Sequence, residues 1–430
     1  MSDTARVPVR TLLAYGSPVL GIAYLLFFIQ FYYLKFATDV LLLPPAVVGM
    51  VFAMAKVWDA VSNPLIGSWS DRTRSRLGRR RPFLFGALPL LVGSFVMLWR
   101  PPAELPFGLL VAWIVVGLFL FYGGFGLYQI PHAALGAELS GDSYQRTRLF
   151  GARQIGFTAG MLVAFGAIQL AMNSADRRAA AAEMALPGAL LAAAILTITP
   201  LLLRDSRGAE AVGGRSLLAG LRDVTRSRAA RLLLAVWFIE NAGVGAVGTM
   251  GPYVAEYLLR RPDIVGLIPA AYVIAGIVAI PVWVRVSRSY GARDTWLVAM
   301  LLAAVAFGGM LSIGAGDVAL SIVLLALAGC AMGCGSVLSS SLMAELIDAD
   351  ERRTGERKEG IYSAAMLFVM KIGMSLATAA SGFVLSSAGF EPNTEQSAAS
   401  LWGIRLLFAG MPCAGFLLGA LLFRGFPQKL

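Results

Sequence analysis

Twelve long apolar segments constrain the fold of this chain more than any other feature. Each has about 18 residues or more, the length that a helix needs to cross the hydrocarbon core of a bilayer. The segments lie near 13–37, 45–69, 82–100, 106–137, 149–172, 186–203, 231–258, 264–285, 296–314, 319–345, 361–388 and 400–423. Because backbone polar groups in a bilayer must be paired internally, the sequence predicts an all-α polytopic membrane protein with twelve transmembrane helices.

The composition excludes most soluble classes of protein. Hydrophobic residues make up 58% of the 430 residues and charged residues 14%, whereas soluble chains carry roughly 25% charged residues. Of the three cysteines, Cys330 and Cys334 are one helical turn apart in an apolar segment. The chain has a single His and offers no third ligand nearby, so we predict neither a metal site nor a disulfide framework.

The basic residues are distributed asymmetrically between alternate loops. If both termini are cytoplasmic, 26 of the 36 Lys and Arg residues lie on the cytoplasmic side, five lie outside and five lie within the spans. This asymmetry predicts cytoplasmic termini and accounts for the net charge of +11 without a nucleic-acid partner. The first span is too long for a signal-peptide core, and no eukaryotic targeting motif is present, so we expect a multi-pass protein of the bacterial inner (plasma) membrane.

The chain divides into two halves of similar length. Six spans in 1–203 and six in 231–430 flank a Gly-, Arg- and Ser-rich segment at 204–230, which we predict to be a cytoplasmic linker. A short basic turn with Gly follows both the second and the eighth span. This weak repeat predicts the 6+6 major facilitator architecture, with a solute site near the bilayer midplane between the halves.

Four ordered segments resemble one transporter family. They are YG…FYYLKFATDV at 15–40, KVWDAVSNPLIGSWSDRTRSRLGRRRPF at 56–83, YQIPHAALGAELSGDSYQRTRLFGARQIGF at 128–157 and MAELIDADERRTGERKEGIYSAAMLFVMKIGMSLA at 343–377. The chain thus resembles the glycoside–pentoside–hexuronide:cation symporters, the melibiose-permease-like branch of the major facilitator superfamily. The resemblance implies alternating-access symport of a small organic solute, a glycoside or sugar, with H⁺ or Na⁺. It implies no enzymatic activity, no cofactor, and a functional monomer in the bilayer.

The second span contains the predicted cation-coupling residues. A carboxylate such as Asp59 is costly in the hydrocarbon region unless it is paired or lines a wet cavity, and Lys56, Ser62 and Asn63 lie within a turn of it. In the resembling family two acidic residues one turn apart bind the cation here; Asp59 matches the first and Asn63 replaces the second. An amide oxygen can bind a cation but cannot titrate. We therefore expect coupling to H⁺ rather than Na⁺. The alternative is that Asp59 forms a structural ion pair with Lys56 or Lys371.

Four positions are candidates for solute binding. Sugar-transporting relatives carry acidic residues where this chain has Ala23 and Gln129, while Arg153 and Lys371 match basic positions of the family. Loss of the acidic pair leaves a second substrate class open: lysophospholipids or other amphiphiles, transported on the same fold. A membrane-embedded enzyme or assembly factor is a remote alternative, since no nucleotide loop, metal cluster or nucleophile–base spacing occurs.

Two further groups of residues are candidates for gating. Glu240, His132 and Lys56 are ionisable groups in the spans, for which we expect a gate or proton-linked role, with structural pairing or packing as the alternative. A basic loop resembles the cytoplasmic signature of the superfamily; its residues are Gly67, Asp71, Arg72, Gly78, Arg79 and Arg80. We expect its charges to pair with the acidic segment 347–359 when the cytoplasmic side closes, or else to serve topology alone.

Overall fold

The computed structural model describes residues 6–140, 142–203, 224, 227–354 and 359–427. Within these residues it confirms an all-α fold with twelve helices long and apolar enough to cross a membrane. In chain order they are α1 (Val9–Gly16 and Pro18–Asp39), α2 (Pro45–Arg72), α3 (Arg81–Trp99), α4 (Phe107–Glu138), α5 (Ser143–Met172), α6 (Arg177–Leu196, continued by Ile198–Leu202), α7 (Arg228–Tyr253), α8 (Leu267–Tyr290), α9 (Ala292–Met310), α10 (Val318–Thr354), α11 (Glu359–Ser387) and α12 (Ala398–Arg405, continued by Met411–Phe423).

Some helices extend well beyond the apolar runs that predict them. Helix α6 begins at Arg177, nine residues before the apolar run at 186–203. The Asp176 carboxylate accepts a hydrogen bond from the Ala179 amide at 2.9 Å, which caps this end, and alanine then favours helix in the first turns. Hydropathy locates the membrane-embedded part of a helix, whereas caps and propensity decide where the helix begins and ends.

Proline interrupts the helical hydrogen bonding of α1, and a hydroxyl from α6 compensates. Pro18 has no N–H to donate to the Ala14 carbonyl, so the helix breaks at Ser17. The Thr199 hydroxyl donates to that carbonyl at 2.7 Å, and the Ser17 hydroxyl donates to Leu13 at the same distance. Pro64, Pro131 and Pro281 also lie inside helices.

The helices belong to two compact units. The first unit comprises Met1–Tyr33 and Met54–Val212, and the second comprises Leu34–Ala53 and Gly213–Leu430. The segment Leu34–Ala53, which contains the end of α1 and the start of α2, therefore belongs to the second unit. The predicted linker at 204–230 lies largely outside the described residues, and its boundaries stay a prediction.

Glycine permits close helix contacts inside each unit. In the first unit a Cβ on Gly160 of α5 would lie 2.1 Å from the Leu20 carbonyl oxygen of α1. In the second unit a Cβ on Gly329 of α10 would lie 2.0 Å from the Tyr272 carbonyl oxygen of α8. Only glycine fits at such separations, so Gly160 and Gly329 allow these helices to pack closely.

Candidate functional site

The predicted coupling residues lie together on α2 in the first unit. Asp59 and Ser62 are each 4% exposed and Lys56 is 6% exposed. Lys56 and Asp59 interact electrostatically, as their spacing of three residues predicts. The Ser62 hydroxyl donates to the Asp59 backbone carbonyl at 3.3 Å, which leaves the hydroxyl's own lone pairs available as acceptors. This face of α2 thus combines one carboxylate, one ammonium group and one hydroxyl in a buried position.

Asn63 extends this polar face toward α4. Its Oδ1 atom is buried and has no hydrogen-bond partner within the described residues. A Cβ on Gly126 of α4 would lie 2.5 Å from that oxygen, so the absence of a side chain at Gly126 creates the space for the amide. Tyr122, one turn earlier on α4, interacts electrostatically with Asp59, and its hydroxyl also lacks a partner in the described chain. Sequence reasoning missed Tyr122 and Gly126, since nothing local relates them to α2.

A second polar group in the first unit contains His132 and Arg153. His132 of α4 is 1% exposed and its ring stacks on Tyr15 of α1, with centroids 4.5 Å apart and planes at 1°. On its other side it stacks on Tyr128 at 5.5 Å. Arg153 of α5 interacts electrostatically with both Tyr15 and His132. The structure therefore brings together two residues that the sequence singles out separately, and adds Tyr15 between them.

Three polar atoms of this group are buried without a hydrogen-bond partner in the described part of the chain. They are the Tyr15 hydroxyl, Nε2 of His132 and Nε of Arg153. Gly136 of α4 makes room for the Tyr15 hydroxyl, since a Cβ there would lie 2.0 Å from it. Buried polar atoms are usually satisfied, so one donor (Arg153 Nε), one acceptor (Nε2 of the neutral His132 ring) and one hydroxyl that can donate or accept (Tyr15) remain available to a hydroxylated ligand.

The other predicted solute-binding positions are more dispersed. Ala23 is fully buried in α1 and Gln129 is partly exposed on α4, both in the first unit. Lys371 lies in α11 of the second unit and is partly exposed. The roles assigned to these three residues stay predictions.

The cytoplasmic signature forms a charge network inside the first unit. One guanidinium nitrogen of Arg80 lies 2.6 Å from Asp71 and the other lies 2.9 Å from Glu138 at the end of α4, which also binds Arg79 at 2.7 Å. Gly78 has φ +103°, which permits the turn between α2 and α3, whereas Gly67 and Arg72 lie in the last turns of α2. Sequence reasoning missed Glu138, although it quoted the segment that contains it. Pairing with 347–359 stays a prediction, and residues 355–358 of that segment lie outside the described chain.

A network of buried charge in the second unit was not predicted from the sequence. In the second unit the Lys35 ammonium lies 2.5 Å from Asp39 and 2.8 Å from Glu256, and it lies over the ring of Tyr257 at 4.1 Å. The Tyr257 hydroxyl donates to Asp39, and the Thr38 hydroxyl donates to the other Asp39 oxygen at 2.7 Å. We call these five residues, Lys35, Thr38, Asp39, Glu256 and Tyr257, the Lys35 network.

A loop residue completes the Lys35 network. The Asn393 side-chain amide donates to the Asp39 backbone carbonyl at 2.7 Å, and the Asn393 backbone N–H donates to the Tyr257 hydroxyl at 3.1 Å. Asn393 has φ +61°, a conformation that asparagine tolerates better than most residues. The signal for part of this network was visible as Lys and Asp four residues apart inside one apolar helix. Its partners from the helical turn Val254–Leu258, which follows α7, and from the loop at Asn393 had no such signal.

Glu240 is buried in the second unit without a charged partner among the described residues. It is 3% exposed on α7 and forms no ion pair with Lys371 or with any other described residue. Among the described residues, no group of three or more His, Cys, Asp or Glu side chains could hold a metal ion.

Comparison with known proteins identifies the family. The sequence model of the family described as MFS/sugar transport protein matches residues 14–428. The chain is 26% identical to the isoprimeverose transporter of Lactiplantibacillus pentosus, covering 91% of this chain and 82% of that protein. It is also 26% identical to a putative sulfoquinovose importer of Escherichia coli, covering 98% and 92%. A glucuronide carrier protein homolog of Escherichia coli is 24% identical, covering 92% and 87%.

Solved structures support the fold. A bacterial homolog of the human lysosomal transporter Spinster superposes with a TM-score of 0.70 at 15% identity, covering 98% of this chain and 99% of that chain. The nucleoside transporter NupG gives 0.71 at 15% identity, covering 97% and 100%. The chain is therefore a multi-pass inner-membrane transporter and not an enzyme, and it belongs to the glycoside–pentoside–hexuronide symporter family of the major facilitator superfamily.

Proposed function

We propose that this protein is a cation-coupled symporter that moves a sugar or sugar acid across the inner membrane by alternating access. The single observation that carries the coupling proposal is the buried carboxylate of Asp59 beside Lys56 on α2. A charged pair at this depth is costly to maintain for packing alone. Symport gives it a role, because cation binding and release change the charge of Asp59 during the cycle.

The proposed coupling ion is H⁺. A hard metal cation in a dry site needs several oxygen ligands, and the α2 face offers the Asp59 carboxylate, the Ser62 hydroxyl and the Asn63 amide oxygen. Gly126, which lies against Asn63, contributes no side-chain oxygen. A proton needs only one titratable acid, so the ligand set favours H⁺ over Na⁺.

Transport into proteoliposomes tests the ion. Accumulation of solute should follow an imposed pH gradient in sodium-free buffer. Asp59→Asn should abolish this accumulation and retain downhill exchange, because the amide keeps the shape of the side chain and cannot titrate. Ser62→Ala is the matched control and should retain pH-driven accumulation. Uptake that follows a sodium gradient and ignores pH would contradict the H⁺ assignment, and full accumulation by Asp59→Asn would contradict the site.

The proposed solute is hydroxylated and can carry a negative charge. Relatives are named for isoprimeverose, glucuronides and sulfoquinovose, which all have several hydroxyl groups. In this chain Ala23 and Gln129 stand where sugar-transporting relatives carry acids, while Arg153 is kept and its Nε is buried without a partner in the described chain. We infer that Arg153, with Tyr15 and His132 beside it, contacts an oxygen-rich part of the solute.

A panel of labelled solutes tests this substrate class. We expect the sugar acids methyl glucuronide and sulfoquinovose to compete more strongly than neutral isoprimeverose. Arg153→Gln should weaken competition by an acidic sugar about 10- to 100-fold, the worth of a hydrogen bond to a charged group. Arg178→Gln is the control. Arg178 lies in the first turn of α6, and its guanidinium group donates to the Pro101 carbonyl. Transport of lysophosphatidylcholine with no sugar competition would instead favour the amphiphile alternative.

We further propose that both termini and the segment 204–230 are cytoplasmic, from the asymmetry of the basic residues. Single cysteines introduced as Ser206→Cys and Asn173→Cys should report opposite sides of the membrane to an impermeant thiol reagent. Labelling of Asn173→Cys alone in intact cells supports this orientation, and labelling of Ser206→Cys alone reverses it.

A further inference from the structure

The carboxyl group of Glu240 is held by one partner and is otherwise unpaired. Trp296 of α9 donates its indole N–H to Oε1 at 2.8 Å. Oε2 has no hydrogen-bond partner among the described residues, although Glu240 is only 3% exposed. The two oxygens of this carboxyl group therefore have different surroundings. Oε1 accepts a hydrogen bond from Trp296, whereas Oε2 is buried without a donor among the described residues.

The groups around Glu240 are polar but carry no positive charge. Tyr272 of α8 and Cys334 of α10 interact with it electrostatically, and the Tyr272 hydroxyl also lacks a partner in the described chain. On the helices that pack against α7, Lys371 of α11 forms no ion pair with Glu240, and Arg405 of α12 donates to the Ile313 carbonyl instead. The described residues therefore offer this carboxyl no counter-charge.

Gly335 brings the α10 backbone close to the Glu240 carboxyl group. A Cβ on Gly335 of α10 would lie 3.2 Å from Oε2 and 3.1 Å from the Trp296 indole nitrogen. The α10 backbone therefore closes directly over the carboxyl group. A metal ion would need several ligands, whereas among the described residues no group of three or more His, Cys, Asp or Glu side chains could hold one.

An ionised carboxylate in such surroundings is unstable. Desolvation of an unpaired charge costs several kcal/mol at the least, and one neutral N–H donor does not offset that cost. The group becomes stable when it takes up one proton from water, because the O–H bond forms at Oε2 and Oε1 remains a carbonyl oxygen that accepts from Trp296.

We propose that Glu240 is a proton-binding site of the second unit, separate from the coupling site on α2, with the proton on Oε2. Trp296 is its positioning residue, since the indole N–H fixes which oxygen carries the proton. This proposal goes beyond the coupling proposed at Asp59 and does not depend on it.

Infrared spectroscopy of the full-length protein in lipid vesicles tests the site without any solute or ion gradient. Near neutral pH the wild-type protein should show a carboxylic acid C=O band that Glu240→Gln lacks. Asp59→Asn is the matched control and should keep the band. Trp296→Phe should shift the band to higher frequency, because a C=O group that loses a hydrogen-bond donor stiffens.

The outcomes separate this proposal from the transport proposal. Identical carboxylic acid spectra for the wild type and Glu240→Gln would overturn the proton site, whatever the transport assays give. Should Glu240→Gln fail to fold, the Trp296→Phe spectrum decides, and an unshifted band overturns the assignment. A failure of pH-driven uptake with the Glu240 band intact would contradict only the coupling at Asp59.

Discussion

The Lys35 network and Glu240 are two solutions to the same problem, the burial of charge in the second unit. Lys35 contacts two carboxylates, and both oxygens of Asp39 have hydrogen-bond donors. Glu240 has one donor and no cation in the described chain. Lys35 is 1% exposed and Glu240 is 3% exposed, so burial alone does not distinguish them.

The difference between them lies in how completely each charge is paired. A saturated network fixes its members in one arrangement, and removal of any member leaves another charge uncompensated. A carboxyl group with one open oxygen can instead gain or lose a proton without a partner having to leave. We infer that the Lys35 network holds the segment Leu34–Ala53 on the second unit and that Glu240 is the group free to titrate.

The largest expected effect follows from removal of the central cation. Lys35→Met keeps the length of the side chain and leaves the Asp39 and Glu256 carboxylates without their shared ammonium group. Loss of one partner from a buried ion pair costs about 3–5 kcal/mol, and we expect that loss in the free energy of unfolding. Thermal unfolding of the purified protein in one detergent at several pH values measures it.

An exposed ion pair of the same unit provides the control. The Arg260 and Glu395 side chains are 66% and 88% exposed, so Arg260→Met should change stability by less than about 1 kcal/mol. The triple variant Lys35→Met, Asp39→Asn, Glu256→Gln removes every charge and should recover much of the loss. Equal destabilisation by Lys35→Met and Arg260→Met would show that the network is not a structural lock.

A smaller effect is expected at Tyr257. Its hydroxyl donates to Asp39 and accepts from the Asn393 backbone N–H. Tyr257→Phe removes both bonds and keeps the ring beneath Lys35, so stability should fall by about 2 kcal/mol, as for a hydrogen bond to a charged group. Tyr290→Phe, at a residue that is 73% exposed, is the control and should leave thermal unfolding unchanged. If Tyr257→Phe has the same thermal unfolding midpoint as the wild type, water replaces the hydroxyl in the network.

The contrast also explains how far the sequence predicts this molecule. Twelve spans and the family follow from local signals, since hydropathy and motifs are properties of contiguous residues. The Lys35 network does not, because Lys35 and Asp39 meet Glu256 and Asn393 only after folding, more than 200 positions along the chain. Glu240 was recognisable as a deep carboxylate, but its single donor, Trp296, could not be predicted.

The α2 site was predicted in part for the same reason. Asp59, Ser62 and Asn63 lie within one turn, so helical periodicity places them on neighbouring parts of one helix. Gly126, which accommodates the Asn63 amide, and Tyr122 lie on another helix. The prediction therefore named residues of α2 and lacked the surface of α4 that faces them.

Asn393 provides a finer test of the Lys35 network. Asn393→Gly removes the bond to the Asp39 carbonyl and keeps the left-handed backbone at no steric cost. Asn393→Ala removes the same bond and adds the strain of a Cβ at φ +61°. We expect the glycine variant to lose about 1 kcal/mol and the alanine variant about 1 kcal/mol more. Equal thermal midpoints for the two variants would show that the loop relaxes away from the helix end.

The smallest effect on stability is expected at Glu240. The amide oxygen of Glu240→Gln can accept from Trp296 in place of Oε1, and its NH₂ group replaces the protonated oxygen, so the free energy of unfolding near pH 5 should change by less than about 1 kcal/mol. In the folded protein the proposal keeps this proton on Glu240, whereas in the unfolded protein the same carboxyl group releases it above about pH 4. Since the folded state then binds one proton more, wild-type stability should fall as pH rises, by up to about 1.4 kcal/mol per pH unit, and that slope should be absent in Glu240→Gln. Parallel stability–pH curves for the two proteins would mean that Glu240 carries the same charge folded and unfolded, and would remove the contrast with the Lys35 network.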